Sequence, residues 1–148
     1  MKKQFTGRPV LPGNVEGEAR VSRKGFNIYA SFFTSIHIKS DKAICADGGN
    51  KELFGKELAG KIICLPKTVG TTSGGAVWQR LINLGNSPIA VLFSEQIDSL
   101  AAGGLIVADI WTDKRIYVID QLGDEFLDTV KNNDRIKIHQ DGSIMING

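Results

Sequence analysis

The sequence predicts an α/β domain of three layers, β/β/α, built around a mixed sheet. Three short apolar runs, at 62–65, 89–93 and 116–119, are typical of buried strands, and segments with helical spacing separate them. This alternation favours parallel strands with right-handed crossovers. Runs of alternating apolar and polar residues at both ends of the chain add antiparallel strands. Because no repeat or linker interrupts the 148 residues, we expect 1–148 to form a single domain.

The predicted elements of the first sixty residues follow from local pattern. Val15 to Val21 alternates between apolar and polar residues, which predicts a half-buried strand. The segment from Tyr29 to Ile36 is apolar and aromatic, and we interpret it as a short helix or an irregular segment against the core. The remaining predictions are a strand at 4–11 interrupted at Gly7 and Pro9, a turn at 12–14, a basic loop at 22–27, a short strand at 43–46 and one helical turn at 51–58.

The second part of the chain carries the clearest helix and hairpin signals. A helix is predicted from about Gly75 to its stop at Gly85, with an apolar face formed by Val77, Leu81 and Leu84 and widened by Trp78 and Ile82. The other predictions are a helix at 96–102 broken at Gly103-Gly104, an apolar helix or strand at 105–110, a helical turn at 125–130, and a hairpin of 135–139 and 143–146 around Asp141-Gly142.

Composition excludes several classes of partner. The net charge is only +2 and the basic residues are scattered, so the sequence gives no electrostatic footprint for nucleic acid. No apolar run approaches the roughly 20 residues that a membrane-spanning helix needs. The residues after Met1 do not form the apolar core of a signal peptide, so we expect a cytoplasmic protein.

The cysteines and histidines do not form a metal-binding pattern. Cys45 and Cys64 lie in apolar surroundings and are expected to be buried thiols in a reducing compartment. The two histidines, His37 and His139, are distant from each other in sequence and form no metal-ligand pattern with the cysteines. We therefore expect this chain to bind no metal, and any metal that it uses to come from a partner.

Three consecutive hydroxyls precede the helix that begins near Gly75. The buried strand at 62–65 leads through a loop, 67–75, that carries Thr71, Thr72 and Ser73. Backbone N–H groups and the helix dipole converge at such a position, which suits an anion and stabilises an alkoxide. The alternative is structural, since Ser and Thr are preferred N-cap residues and Gly74-Gly75 is a flexible turn. The loop is not a P-loop, because Ala76 follows the last glycine.

Four stretches resemble a known family. They are Gly7-Arg-Pro-Val10, Pro12-Gly-Asn-Val-Glu-Gly-Glu-Ala19, Leu58-Ala-Gly-Lys-Ile-Ile63, and Leu65-Pro66 ahead of the hydroxyl-rich loop. Together they resemble the small subunit of aconitase X, over about residues 5 to 147. The resemblance implies a swivel-type domain and a hydro-lyase that is active only with a large subunit, as a heterodimer or a larger assembly. The family includes cis-3-hydroxy-L-proline dehydratases and phosphomevalonate dehydratases.

The resemblance also implies roles for the two subunits. The large subunit would carry the iron–sulfur cluster or iron, acting as a Lewis acid on the leaving hydroxyl, and most of the substrate site. The small subunit would supply the base from a loop that usually contains Gly-Arg-Gly-Ser. Here that stretch is Thr68-Val69-Gly70-Thr71, so the base falls on Thr71. The residues expected to contact substrate are Lys67, Gly70, Thr72, Ser73 and Gly74, with helix capping favoured for Ser73. Arg8, between Gly7 and Pro9, is expected either to line the interface or substrate mouth or to be a surface arginine.

One departure from the family pattern bears on the substrate. Val69 stands at the arginine position, and valine cannot form the bidentate clamp that binds a carboxylate or phosphate. Lys67 could replace the charge of that arginine but not its geometry. This favours cis-3-hydroxy-L-proline over phosphomevalonate, which stays the alternative.

Two other classes of function compete with the dehydratase interpretation. A phosphohistidine-type carrier domain would need a histidine just after the glycine pair, and Ala76 to Gln79 contains none. A non-catalytic binding module with the same fold is the other alternative, and Val69 and Thr71 are its best support. Replacing Thr71 in a reconstituted complex distinguishes a base from such a module.

Overall fold

A computed structural model of the chain describes residues 2–38, 41–70 and 74–147. Within these ranges it has ten strands and four helices, in the order β1 (Lys2–Thr6), β2 (Arg8–Leu11), β3 (Val15–Val21), β4 (Phe26–Asn27), α1 (Ile28–His37), β5 (Ile62–Leu65), β6 (Thr68–Val69), α2 (Gly74–Leu84), β7 (Ala90–Phe93), α3 (Ser99–Trp111), β8 (Tyr117–Asp120), α4 (Asp124–Thr129), β9 (Arg135–Ile138) and β10 (Ser143–Asn147).

Eight strands form one mixed sheet in the order β1-β10-β9-β3-β5-β7-β8-β2. The predicted parallel strands β5, β7 and β8 lie side by side, and β3 extends this parallel part, with Ala19 opposite Ile62. The other pairings in the sheet are antiparallel. A separate two-stranded parallel pair joins β4 to β6. Sequence pattern had not indicated this pair, because two residues carry no detectable periodicity.

The sheet folds back on itself, since β1 and β2 lie at its opposite edges and only Gly7 separates them in sequence. The Gly7 amide donates a 3.0 Å hydrogen bond to the Gly142 carbonyl oxygen. A Cβ on Gly7 would lie 2.4 Å from the Asp120 carbonyl oxygen, so a larger residue could not occupy this crossing without moving backbone. The interruption predicted at Gly7 is confirmed, and its cause is this close approach.

Alternation along the central strands produces two cores. In β5, Ile62 and Cys64 face the core between the two sheet layers, whereas Ile63 and Leu65 face the helices. The core between the sheets is packed by strands β9 and β10 and by Phe126 of α4, and the helix-side core contains Trp78. The predicted β/β/α layering is therefore confirmed.

Several local predictions match the structure and others do not. The strands at 15–21 and 62–65, the helix that stops at Gly85, and the C-terminal hairpin are confirmed. The strand predicted at 43–46 is wrong, because Ile44 forms only an isolated bridge with Glu57. The helical turn predicted at 51–58 is confirmed in part. The Phe54 amide donates to the Asn50 carbonyl oxygen at 2.9 Å, which closes one helical turn, but the turn ends at Gly55.

The predicted helix break at Gly103-Gly104 is wrong. Helix α3 runs without interruption from Ser99 to Trp111, and it begins at the N-cap Asp98 rather than at residue 96. A glycine inside a helix costs about 1 kcal/mol relative to alanine. Burial of Ala101, Leu105 and Ala108 against the core offsets that cost.

Among the described residues, no helix is both long and apolar enough to cross a membrane.

Candidate functional site

The loop that follows β5 leaves the sheet at the carboxyl ends of its parallel strands. This edge is where α/β folds usually bind ligands. The first part of the loop, residues 66–70, is called the loop stem below. Its backbone is anchored by a 2.8 Å hydrogen bond from the Phe26 amide to the Lys67 carbonyl oxygen and by the pairing of β4 with β6. The Lys67 side chain is exposed.

The end of the loop stem is held against the first turn of α1. Gly70 has a φ of +110°, a conformation that favours glycine. A Cβ there would lie 2.7 Å from the side-chain nitrogen of Asn27. Asn27 is also the N-cap of α1, where its carboxamide oxygen accepts a 3.0 Å hydrogen bond from the Ala30 amide. Glycine is therefore favoured at position 70 by the backbone conformation, whereas its substrate contact stays a prediction.

The other side of the loop stem is held by α3. The Thr68 hydroxyl donates a 2.7 Å hydrogen bond to Asp98 Oδ1. Asp98 is the N-cap of α3, and its Oδ2 accepts from the Ala101 amide at 3.3 Å. One carboxylate thus binds both the helix and the loop.

Three helices begin beside the loop stem. Asn27 and Asp98 cap α1 and α3, and α2 begins at Gly74, four residues after Gly70. At α3 the Asp98 carboxylate already offsets the positive end of the helix dipole, so an anion is favoured at the beginnings of α1 and α2. Of the predicted site residues, the structure brings Lys67, Gly70 and Gly74 to this place. The predicted base Thr71, with Thr72 and Ser73, lies outside the described residues.

Arg8, the remaining predicted substrate contact, forms a separate corner of the same edge. Its Nε and Nη2 donate to the two carboxylate oxygens of Asp120 at 2.9 and 2.6 Å. The Asp120 side chain is fully buried, and its Oδ2 also accepts from the Ile97 amide at 2.8 Å. These hydrogen bonds, together with the charge of Asp120, raise the pKa of the Arg8 guanidinium. These bonds use two of the five N–H donors of the guanidinium, and the Arg8 side chain is 52% exposed.

A cleft of about 420 Å³ lies beside the Arg8 corner. It is lined by Arg8, Gln96, Ile97 and Ser99, among others. Ser99 begins α3 directly after Asp98, so the cleft adjoins the α3 side of the loop stem. A substrate contact for Arg8 stays a prediction.

Neither cysteine is suited to bind a metal. Cys45 and Cys64 are free and buried, and burial raises the pKa of each thiol, so neither readily gives the thiolate that a metal requires. Within the described ranges, no group of three or more His, Cys, Asp or Glu side chains could hold a metal ion. The described residues therefore do not fit an iron or iron–sulfur site.

An exposed apolar surface begins next to the site. A groove of about 420 Å³ between α2 and α3 is lined by residues that include Ala76, Leu100, Gly103, Gly104 and Val107. Leu100 is 61% exposed, and further along α3 Ile110 and Trp111 are more than 70% exposed. The single charged residue of α3, Asp109, is paired with Arg115. An exposed apolar surface of this kind is typical of a contact with another protein.

Sequence reasoning missed three residues at this edge, namely Asn27, Asp98 and Asp120. Asn27 precedes an apolar helical segment, which is an N-cap signal. Asp98 also has an N-cap signal, but a helix predicted to begin at residue 96 places Asp98 inside the helix. Asp120 ends an apolar strand, and no local pattern predicts its pairing with a residue 112 positions away.

Comparison with known proteins agrees with this architecture. The family model of the aconitase X swivel domain matches residues 4–146. The chain belongs to the aconitase X swivel-domain family. It is 27% identical over 145 residues to the phosphomevalonate dehydratase small subunit of Aeropyrum pernix, covering 98% of this chain and 94% of that protein. It is 30% identical over 107 residues to the subunit of the same name from Thermococcus gammatolerans, covering 72% and 76%.

A solved structure of the aconitase X family has the same fold. The holo-form of Thermococcus kodakaraensis aconitase X superposes with a TM-score of 0.81 at 24% identity, over 99% of each chain. This likeness extends over the sheet and helices that surround the loop stem. The swivel-type fold expected from the sequence is therefore confirmed.

Proposed function

We propose that this chain is the small subunit of an aconitase-X-type dehydratase, which removes water from a small hydroxy acid and is active only with its large subunit. The observation that carries the proposal is the loop stem, which precedes the three hydroxyls in sequence and is held where three helices begin at the carboxyl edge of a parallel sheet. Membership of the aconitase X family and the names of the relatives support it.

The proposed base is the Thr71 hydroxyl in its alkoxide form. It takes the proton on the carbon next to the substrate carboxylate, and the electron pair of that C–H bond becomes the double bond as the neighbouring hydroxyl leaves. A free hydroxyl has too high a pKa for this role in water. Nearby N–H groups and helix dipoles stabilise the alkoxide, and exclusion of water strengthens their effect. Thr72 and Ser73 are the nearest alternatives.

Water exclusion requires a partner, because Lys67, Val69 and Gly70 are exposed. We assign this role to the large subunit, and the apolar groove that begins at Leu100 offers it a contact surface next to the loop. The iron or iron–sulfur cluster belongs, in this proposal, to the large subunit. Two buried, unpaired thiols suit a reducing cytoplasmic setting.

The first substrate to test is cis-3-hydroxy-L-proline. Val69 of the loop stem is 46% exposed and stands where the family pattern has arginine. Lys67 is the cationic residue of the described loop stem. A phosphate would be expected to need a stronger cationic clamp. Phosphomevalonate is the second candidate, since both relatives above are named as small subunits of phosphomevalonate dehydratases.

The test is reconstitution with the large subunit from the same organism under anaerobic conditions, followed by dehydration assays on both compounds. We expect activity in the complex and none in either subunit alone. Thr71→Ala should lower kcat at least about 10²-fold, as expected for loss of a general base, whereas Thr71→Ser should retain activity.

Each contrary outcome has a distinct meaning. If Thr71→Ala keeps the full rate, the assignment of the base is wrong. A stable complex that dehydrates neither compound rejects both substrates. Failure to bind the large subunit favours the non-catalytic binding module.

A further inference from the structure

We propose that Asp98 is a positioning residue that holds the catalytic loop through Thr68. This inference rests on the proposed function, because its effect on rate requires that the loop carry the base. Asp98 Oδ1 accepts from the Thr68 hydroxyl at 2.7 Å, while Oδ2 accepts from the Ala101 amide at the start of α3. The carboxylate therefore links a rigid helix to the residue three positions before Thr71.

The start of the loop stem is restrained by the burial of Pro66 and by a 3.3 Å hydrogen bond from the Glu95 amide to the Pro66 carbonyl oxygen. Further along, Lys67 is exposed, Val69 is 46% exposed and approaches Gly25, and Gly70 has no side chain. On the α1 side, the stem is restrained by backbone pairing with β4 and by the contact of Gly70 with Asn27. On the α3 side, the described part of the stem is held by one side-chain hydrogen bond, from Thr68 to Asp98. Its loss should widen the range of positions that the loop samples.

Asp98 is itself fixed from both directions along the chain. The amide of Ile97, the residue before it, donates a 2.8 Å hydrogen bond to the buried carboxylate of Asp120. The residue after it begins α3, which packs against the helix-side core. Because Asp98 is anchored in this way, it can restrain Thr68 instead of moving with it. A displacement of about 1 Å in a catalytic group can cost about 10²-fold in rate.

The experiment measures kcat and KM of the reconstituted complex, and hydrogen exchange of the segment 67–76. Thr68→Val removes the hydroxyl at nearly constant shape, and Asp98→Ser keeps an N-cap oxygen that is too short to reach Thr68. We expect each to lower kcat by about 10- to 100-fold with KM within about threefold, and to speed exchange in the segment. The double variant should be no worse than either single variant, because both remove one interaction.

Conservative and distant variants serve as controls. Thr68→Ser and Asp98→Asn can each retain a hydrogen bond between the two side chains, so both should keep most of the wild-type kcat. Thr129→Val removes a similar 2.7 Å bond, to the Glu125 carbonyl oxygen in α4, and should leave kcat and exchange of segment 67–76 unchanged.

Three outcomes would overturn the inference. Wild-type kcat and exchange in Thr68→Val would show that the bond does not hold the loop. A rise in KM at constant kcat would make Thr68 a substrate contact instead. Additive losses in the double variant would show that the two residues act independently. Failure of the proposed function is recognised separately, by an inactive wild-type complex, and the exchange rates then decide alone whether Asp98 orders the loop.

Discussion

The loop stem and the Arg8 corner lie at the same edge of the sheet but differ in chemistry. The stem is largely exposed and is held by single hydrogen bonds, such as that from Thr68 to Asp98. The corner consists of a bidentate ion pair in which Asp120 is fully buried. A sequence motif cannot distinguish a charge that awaits a substrate from one that the fold has already paired.

This difference indicates how the two regions contribute. Arg8 and Asp120 join the last strand of the sheet to its neighbour, and through the Ile97 amide they fix the segment that leads into α3. The loop stem is fixed in turn by Asp98 at the beginning of α3. The corner therefore supports the site, whereas the loop presents it.

The largest stability effect is expected at the corner. Asp120→Ala leaves the Ile97 amide without its acceptor and the Arg8 guanidinium without its partner. The free energy of unfolding should fall by up to about 3 kcal/mol, as expected when a buried donor, here the Ile97 amide, loses its acceptor. Urea unfolding measures it. Glu16→Ala, in the exposed pair of Glu16 with Arg135, is the matched control and should change the midpoint far less. Equal effects of the two variants would contradict a special role for the corner.

A smaller stability effect, with a clear effect on activity, is expected in the loop stem. Gly70→Ala must adopt a φ of +110° and place a Cβ against the Asn27 side chain. We expect about 1–3 kcal/mol of strain, relieved in part by movement of the loop, and a lower kcat in the complex. Thermal unfolding and the dehydration assay measure these changes. Gly48→Ala, where a Cβ would meet no atom within 4 Å, should be tolerated. If both variants behave alike, the Gly70 conformation does not matter.

The smallest effect on stability is expected at a second bidentate pair, between Arg115 and Asp109. Arg115 lies just before β8, and Asp120 lies at the other end of that strand. Arg115 donates to both oxygens of Asp109 at 2.8 and 2.7 Å, but the Asp109 side chain is 17% exposed, whereas that of Asp120 is fully buried. These hydrogen bonds lower the pKa of Asp109, so the pair stabilises the fold above the unfolded-state pKa of about 3.9 and loses this effect as pH falls through the folded-state pKa.

Asp109→Asn should therefore cost less than about 1 kcal/mol at pH 7, after allowance for solvent screening. The difference from wild type should shrink as pH falls below about 3.9, where the unfolded carboxyl is protonated, and should disappear below the lowered folded-state pKa. Urea unfolding at pH 7 and at about pH 3 measures both values. A loss as large as that of Asp120→Ala would show that burial does not explain the contrast between the two pairs.

Much of the fold could be predicted from local pattern. Four consecutive apolar residues predicted β5, and strict alternation predicted β3 with its observed ends. Prediction failed at α3, where two glycines suggested a break that packing overrides, and at 43–46, where a short apolar run has no neighbouring strand to pair with over more than one residue. In each case, the deciding interactions come from residues distant in sequence.

The sequence by itself determined the layers, the parallel strands and the loop that carries the hydroxyls, because these depend on the periodicity of apolar residues and on glycine and proline at element ends. Only the tertiary structure decided which polar groups are already paired. The contacts of Asp98 with Thr68, of Asn27 with Gly70 and of Asp120 with Arg8 join segments 30, 43 and 112 positions apart. Such contacts depend on how the sheet closes and where the helices begin, and no local pattern encodes that geometry.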